Sequence, residues 1–225
     1  MGVTGLRGYR DRREAGQILA EQLERLKGRA DLVVLGIPRG GLEVAAVVAR
    51  VLSAPLDVLP ARKLGAPGNP EFAIGAVAED VEYIDADLVF GLGIPRRHVE
   101  AERERQRALS REQGLRLRGG RPPLSVEGRT VLVVDDGIAT GATVQAALQA
   151  LRSRRPKWLI LAVPVGPADA LERLSHVADE VVCPLVPPYF RSVGAFYEKF
   201  DQVSDEEAIA FLVRESPTTD LPHPS

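Results

Sequence analysis

Short, uniformly apolar runs recur along the chain, each followed by a turn of small residues and then a stretch with helical spacing. Residues 32–37, 56–61, 131–134, 158–163 and 179–183 are such runs. Apolar on both faces and rich in β-branched side chains, they read as strands of a parallel sheet buried on both sides. Residues 12–28 read instead as an amphipathic helix. Ala15, Ile18, Leu19, Leu23 and Leu26 share one stripe with charges opposite, and Gly28 is a natural stop. Further helices are expected from the turn at residues 38–41 through Val51, at 143–152 and at 167–175. Strand and helix alternate, which predicts an α/β fold with helices on both faces of a parallel sheet. Ligands of such sheets bind outside the carboxyl ends of the strands.

One segment, residues 64–123, breaks the rhythm. Gly65-Ala66-Pro67-Gly68-Asn69-Pro70 is rich in turn formers. Residues 72–89 alternate poorly and read as an extended hairpin flap. Pro95 opens a charged helix reaching about Gln113, polar almost all round, which reads as a solvated, ion-paired face; a covering or dimerising role is the alternative, and nothing in it looks catalytic. The expected organisation is a single domain over residues 1–214, with flap and charged helix at about 64–123 and a small hood at about 184–214. The tail at 215–225, rich in Pro and Thr, reads as disordered.

Composition narrows the partners. The chain has 225 residues, 45% hydrophobic and 27% charged, with a formal net charge of -2. Near neutrality gives no general electrostatic case for nucleic acid or membrane. No apolar run is long enough to cross a bilayer, and residues 1–5 lack the apolar core of a signal peptide. Cys183 is the sole cysteine, so no intramolecular disulfide forms. That suits a reducing cytoplasm, and the residue reads as a buried apolar filler, not a nucleophile. The three histidines are too scattered to suggest a metal site.

The chemistry concentrates at residues 131–143, VLVVDDGIATGAT. A buried strand ends in Asp135 and Asp136, followed by a loop of small residues and hydroxyls and then a helix. Unpaired amides and aligned peptide dipoles at a helix start favour a phosphate. A carboxylate pair beside it binds sugar hydroxyls, or a magnesium ion through water. Phosphate seat and polyol seat together describe a ribose-5-phosphate binder. A Walker loop is excluded, because Thr140-Gly141-Ala142-Thr143 contains no lysine. A phosphorylated receiver is excluded as well: the next strand runs into Val165-Gly166-Pro167 with no acid at its end.

This stretch resembles the signature of the type I phosphoribosyltransferases. The resemblance covers residues 32–182 in architecture and is specific at 131–143. It implies the family's fold, a parallel-sheet α/β domain with a flexible flap and a small hood. It assigns Asp135 and Asp136 to the ribose hydroxyls of phosphoribosyl pyrophosphate. The 5-phosphate would sit on Gly137, Ile138, Ala139, Thr140, Gly141, Ala142 and Thr143. The sequence departs from the commonest pattern at Ala139, where a hydroxyl residue is usual, and at Ala142, often Gly. Both departures leave the backbone seat intact.

Three further pieces follow from the resemblance. Arg39, Gly40 and Gly41, in a turn between strand and helix, match the loop that takes the donor's pyrophosphate; as a bare sequence, Pro-x-Gly-Gly is also simply a good turn. Arg62 and Lys63, at the root of the flap, are candidates to stabilise the departing pyrophosphate, or else a surface pair. Tyr189 or Phe190, with Phe196 and Tyr197 in reserve, are candidates for the ring on which a flat acceptor stacks, or else a small aromatic core.

The implied reaction moves the 5-phosphoribosyl group from phosphoribosyl pyrophosphate to a nitrogen of a small-molecule acceptor, a nucleobase by preference. Mg²⁺ would be held mainly through donor and water, with Asp135 and Asp136 the nearest carboxylates. Either carboxylate is a candidate proton acceptor. A donor-binding regulator without turnover and a hydrolase or phosphorylase of ribosyl phosphates are the alternatives, and a homo-oligomer is compatible with the chain.

Overall fold

The computed structural model describes residues 8–214, so the tail read as disordered lies outside it. From the amino end the elements are α1 (Arg12–Gln22), a 3-10 turn (Glu24–Leu26), β1 (Leu32–Gly36), α2 (Gly40–Leu52) and β2 (Leu56–Val58). The interrupting segment supplies β3 (Ala61–Ala66), β4 (Asn69–Ala78), β5 (Val81–Ile84), α3 (Ala86–Gly91) and α4 (Arg96–Arg118). There follow β6 (Thr130–Val134), α5 (Ala142–Arg152), β7 (Trp158–Ala162), α6 (Ala168–Ser175), β8 (Glu180–Val182), a second 3-10 turn (Val193–Phe196) and α7 (Asp205–Arg214).

The apolar runs form one parallel sheet in the order β2-β1-β6-β7-β8. Alternate residues of each strand feed two cores. Leu32, Val34, Leu132 and Ile160 pack with α1 and α2 on one face. Val33, Val131, Val133 and Leu161 pack with α5 and α6 on the other. Each fully buried Val or Leu contributes roughly 1.5–3 kcal/mol of transfer free energy, which explains why both faces of these strands are apolar. The register pairs Gly36 with Val134 and Val134 with Ala162. Strands β1, β6 and β7 therefore end level, and the loops leaving them lie side by side.

Several boundaries differ from the sequence expectation. The first helix stops at Gln22 and tightens into the 3-10 turn before Gly28, whose φ is +73°. The run at 56–61 is two strands. Pro60, with no N–H to donate, separates β2 from β3, and the chain leaves the parallel sheet there. The flap is the antiparallel sheet β3-β4-β5, and its expected extended end at 86–89 is instead helical, α3 being capped by Asp85 through Leu88 N at 2.9 Å.

Helix α4 runs past Gln113 to Arg118, ending where Gly119 takes φ +61°. Its solvated reading holds only for part of its surface. Ser110 and Arg118 are buried, and Arg118 Nε bonds Asp57 Oδ1 at 2.6 Å while Nη1 pairs with Glu79. Arg118 Nη2 adds a bond to Val58 O at 2.8 Å, and Asp57 Oδ2 accepts from Leu124 N at 2.8 Å. One side chain thus ties α4, the β4–β5 turn and β2 together.

Candidate active site

Asp135 and Asp136 leave the carboxyl end of β6, half-buried. Asp136 N donates to Asp135 Oδ1 at 2.8 Å, and Asp136 Oδ2 accepts from Arg12 Nε at 2.8 Å. Burial first, and the neighbouring Asp136 charge second, hold the Asp135 carboxyl well above the usual range. Asp136 is raised by burial too, with Arg12 opposing the shift. The two acids are therefore unequal: Asp136 has a cation of its own, and Asp135 has none at hydrogen-bond distance.

The loop after the pair runs along a cleft of about 190 Å³, lined by Asp135 and by residues 137–144. Ile138 N donates to Val165 O at 2.9 Å, which pins the loop's start to the segment leaving β7. Gly141, with φ +75°, turns the chain into α5, and a Cβ there would lie 3.2 Å from Leu174 Cδ1. A side chain at Gly141 would thus meet both backbone strain and crowding. The first amides of α5 lack intrahelical acceptors and face outward, as at any helix start. Ala139 and Thr140 are exposed, and Arg173 of α6 donates to Thr140 O at 3.1 Å. That cation beside the loop was not foreseen from the sequence.

The Gly-Gly turn meets the acidic pair directly. A Cβ on Gly41 would stand 2.7 Å from Asp135 Oδ1, and Gly40 is tighter still against Asp136. The peptide between Pro38 and Arg39 is cis. Arg39 itself is turned to α7, with Nη1 3.5 Å from Asp205 Oδ1. The structure thus joins Asp135, Asp136, Gly40, Gly41 and residues 137–143 at one place.

Arg62 and Lys63 are not joined there as a pair. Both lie within β3, and successive side chains on a strand face opposite ways. Arg62 shares a cross-strand row with Val77 and Glu82, and Glu82 is held by Arg103 and Arg107 of α4. Lys63 shares the other face with Ala76 and Tyr83. Tyr83 lines a separate cleft of about 230 Å³ together with Gln145 and Gln149 of α5. Of the two, only Lys63 lies on the face turned to α5, the helix that follows the loop 137–141.

The hood divides the four candidate rings. Phe190 and Phe196 stack at 5.5 Å in an apolar cluster with Tyr9, Val165 and Tyr197. Tyr197 is buried and donates to Asp136 O at 2.6 Å. Tyr189 alone is open, at 88% exposure. Cys183 has its thiol pushed up to about 12 by burial, which suits its role as a filler.

Arg12 is the main residue the sequence reading missed. It is 6% exposed, its Nη1 donates to Asp201 O at 2.7 Å, and its guanidinium lies 3.9 Å over the Phe200 ring. A signal was present: Arg12 falls in phase with Ala15 and Leu19 on the apolar stripe, where a charge requires a partner. Among the described residues no group of three or more His, Cys, Asp or Glu side chains could hold a metal, and no helix is long and apolar enough to cross a membrane.

Residues 11–199 match the model of the phosphoribosyl transferase domain. The chain is 46% identical over 207 residues to the Mycobacterium tuberculosis (strain H37Rv) protein named "Putative phosphoribosyl transferase Rv0571c", covering 92% of this chain and 46% of that protein. It therefore spans about half the length of that relative. It is 33% identical over 150 residues to the "Bifunctional protein PyrR" of Streptomyces coelicolor, covering 66% of this chain and 60% of that one. Among solved structures, TT1426 from Thermus thermophilus superposes with a TM-score of 0.83 at 45% identity, covering 93% of this chain and all of that one. With a family model spanning the acidic pair, the loop 137–141 and both flanking elements, the chain belongs to the phosphoribosyl transferase domain family.

Proposed function

We propose that this protein transfers the 5-phosphoribosyl group of phosphoribosyl pyrophosphate to a ring nitrogen of a nucleobase-like acceptor, releasing pyrophosphate. The observation that carries this reading is that Asp135 and the loop 137–143 line one cleft at the carboxyl end of β6, with Asp136 beside them donating its N–H to Asp135 Oδ1. The loop amides and the start of α5 seat the 5-phosphate, with Arg173 adding positive charge nearby. The carboxylates accept from the ribose hydroxyls. Gly40 and Gly41 bring bare backbone up to the pair, where the donor's pyrophosphate would lie.

In the reaction the bond from C1 to the pyrophosphate oxygen breaks, and its electron pair leaves with pyrophosphate. The acceptor nitrogen forms the new bond to C1 and loses its proton. Asp135 is the better proton acceptor of the pair, since it lacks the ion pair that engages Asp136. Holding both reactants in place and stabilising the charge that separates at C1 account for most of the catalysis. Lys63, on the flap face turned to α5, is the cation best placed to reach the leaving group on closure. Tyr189, the exposed hood ring, is the proposed platform for the acceptor.

Two adjacent carboxylates without a third ligand suit magnesium held mainly through phosphate oxygens and water, and Asp135 and Asp136 are the residues that would accept from that water. Once bound the ion would offset charge on the pyrophosphate.

Calorimetric titration of phosphoribosyl pyrophosphate with Mg²⁺ tests the reading, beside an Asp135→Asn, Asp136→Asn double variant. Saturable binding lost in the variant, followed by pyrophosphate release with one of a panel of nucleobases, is the expected result. Binding without release for any acceptor would favour a donor-sensing regulator. No binding by the folded wild type would withdraw the assignment.

A further inference from the structure

The four carboxylate oxygens of the acidic pair are not equivalent. Asp135 Oδ1 accepts from Asp136 N, and Asp136 Oδ2 accepts from Arg12 Nε. Asp135 Oδ2 and Asp136 Oδ1 have no hydrogen-bond partner among the described residues. Each carboxylate thus spends one oxygen inside the protein and keeps one without a partner among the described residues.

The residue that makes this division at Asp136 is held from several sides. Arg12 comes from the first turn of α1, 124 positions before Asp136. Its Nη1 is fixed by Asp201 O and lies 3.9 Å from Glu43 Oε2, and its plane is covered by Phe200. The backbone of Asp136 is anchored separately, through Tyr197. A guanidinium so constrained cannot follow Asp136 through other rotamers. The carboxylate must come to it, against the bare backbone of Gly40.

We propose that Arg12 is a positioning residue of the donor site, locking the Asp136 carboxylate against Gly40 so that Asp136 Oδ1 and Asp135 Oδ2 are the oxygens offered to the two sugar hydroxyls. This rests on the donor reading above and adds to it a buried residue on α1 that touches no ligand. It also gives the hood segment 197–201 a task, because the same segment anchors Arg12 and the Asp136 backbone together.

The test compares binding of ribose 5-phosphate, 2-deoxyribose 5-phosphate and inorganic phosphate to wild type, Arg12→Gln and Arg12→Lys. The wild type is expected to prefer ribose 5-phosphate over its 2-deoxy analogue by about tenfold, the worth of one hydrogen bond to a charged group. Arg12→Gln is expected to lose that preference while keeping the affinity for inorganic phosphate, which the loop 137–143 supplies. Arg12→Lys, which keeps the charge but not the planar fork, should recover part of it and carries the test if the Gln variant does not fold. Full discrimination retained in both variants would overturn the role of Arg12 and leave the donor reading standing. Equal loss of affinity for all three ligands would reduce Arg12 to a residue of the fold and overturn the proposal. A wild type that binds phosphate without discriminating the sugars would overturn both.

Discussion

Gly40 and Asp136 approach so closely that the first loop has no room for a side chain: a Cβ on Gly40 would run into Asp136 Oδ2 and lie 2.9 Å from Arg12 Nε. The obstacle is a buried ion pair, not the far end of a free side chain. Gly40→Ala is therefore expected to displace the Asp136 carboxylate. Overpacking of this kind costs about 1–3 kcal/mol of stability. Chemical denaturation reads the cost and calorimetry the accompanying loss of phosphoribosyl pyrophosphate. An alanine variant with wild-type stability and donor affinity would refute this account of the turn.

Tyr197 reaches the site from the hood, its hydroxyl on the carbonyl of Asp136 at 2.6 Å. Tyr197→Phe keeps the ring contacts with Tyr9 and Phe200 and removes only the hydroxyl. A loss of about 0.5–1.5 kcal/mol in stability is expected, the ordinary net worth of one hydrogen bond. Donor affinity should fall as well, because the carbonyl belongs to the residue that precedes the loop 137–143, the proposed phosphate seat. Urea denaturation and donor titration on the same variant check both halves.

Arg118 is the buried tie between the flap region and the central sheet, bonded to Asp57 on one side and Glu79 on the other. Removing one member of a buried pair leaves its partner charged and desolvated, so Arg118→Met is expected to cost about 3–5 kcal/mol. The double variant Arg118→Met, Asp57→Asn should recover part of that. A shift in denaturation midpoint no larger than that of an exposed arginine such as Arg96 would contradict the tie.

The acidic pair also sets a pH dependence. Burial, then the charge of Asp136, raises Asp135 in the folded chain. From about 4, the ordinary carboxylate value, up to that raised value, the folded state binds more protons than the unfolded chain. Stability therefore rises as pH falls through this window. Asp179, held low first by its hydrogen bonds from Arg152, acts oppositely, and its contribution is lost as pH falls through its own lowered value. Asp135→Asn is expected to raise the melting temperature at neutral pH, to flatten the rise on acidification and to abolish donor binding. Thermal denaturation from about pH 5 to about pH 8 measures the first two. A variant less stable than the wild type at neutral pH would refute the assignment.

The local pattern carried much of the molecule. Runs apolar on both faces identified the five strands of the parallel sheet, because only strands covered on both sides need such residues. The signature at 131–143 read correctly as a strand, a loop and a helix start, since one corner of chain contains them all. Chain breaks were less legible. Pro60 divided what read as one strand, and Asp85 capped a helix where a hairpin was expected.

What the sequence determined by itself were features whose cause is local: the periodicity of the buried strands, most of the helix starts that follow them, and the strand-turn-helix corner at 131–143. What only the tertiary structure decided was who meets whom. Arg12 and Asp136 are 124 positions apart, and nothing short of the packing of α1 beneath the hood brings a guanidinium onto that carboxylate. Arg62 and Lys63 are adjacent in the chain, yet the pleat of β3 turns them to opposite faces. Tyr189 and Phe190, the paired first candidates of the hood, part company: Phe190 stacks on Phe196 in an apolar cluster, Tyr197 is hydrogen-bonded to Asp136 O, and Tyr189 stays open. Neighbours along the chain fix backbone conformation, whereas burial, ion pairing and the division of carboxylate oxygens depend on contacts that exist only after the sheet, its helices and the hood have closed around them.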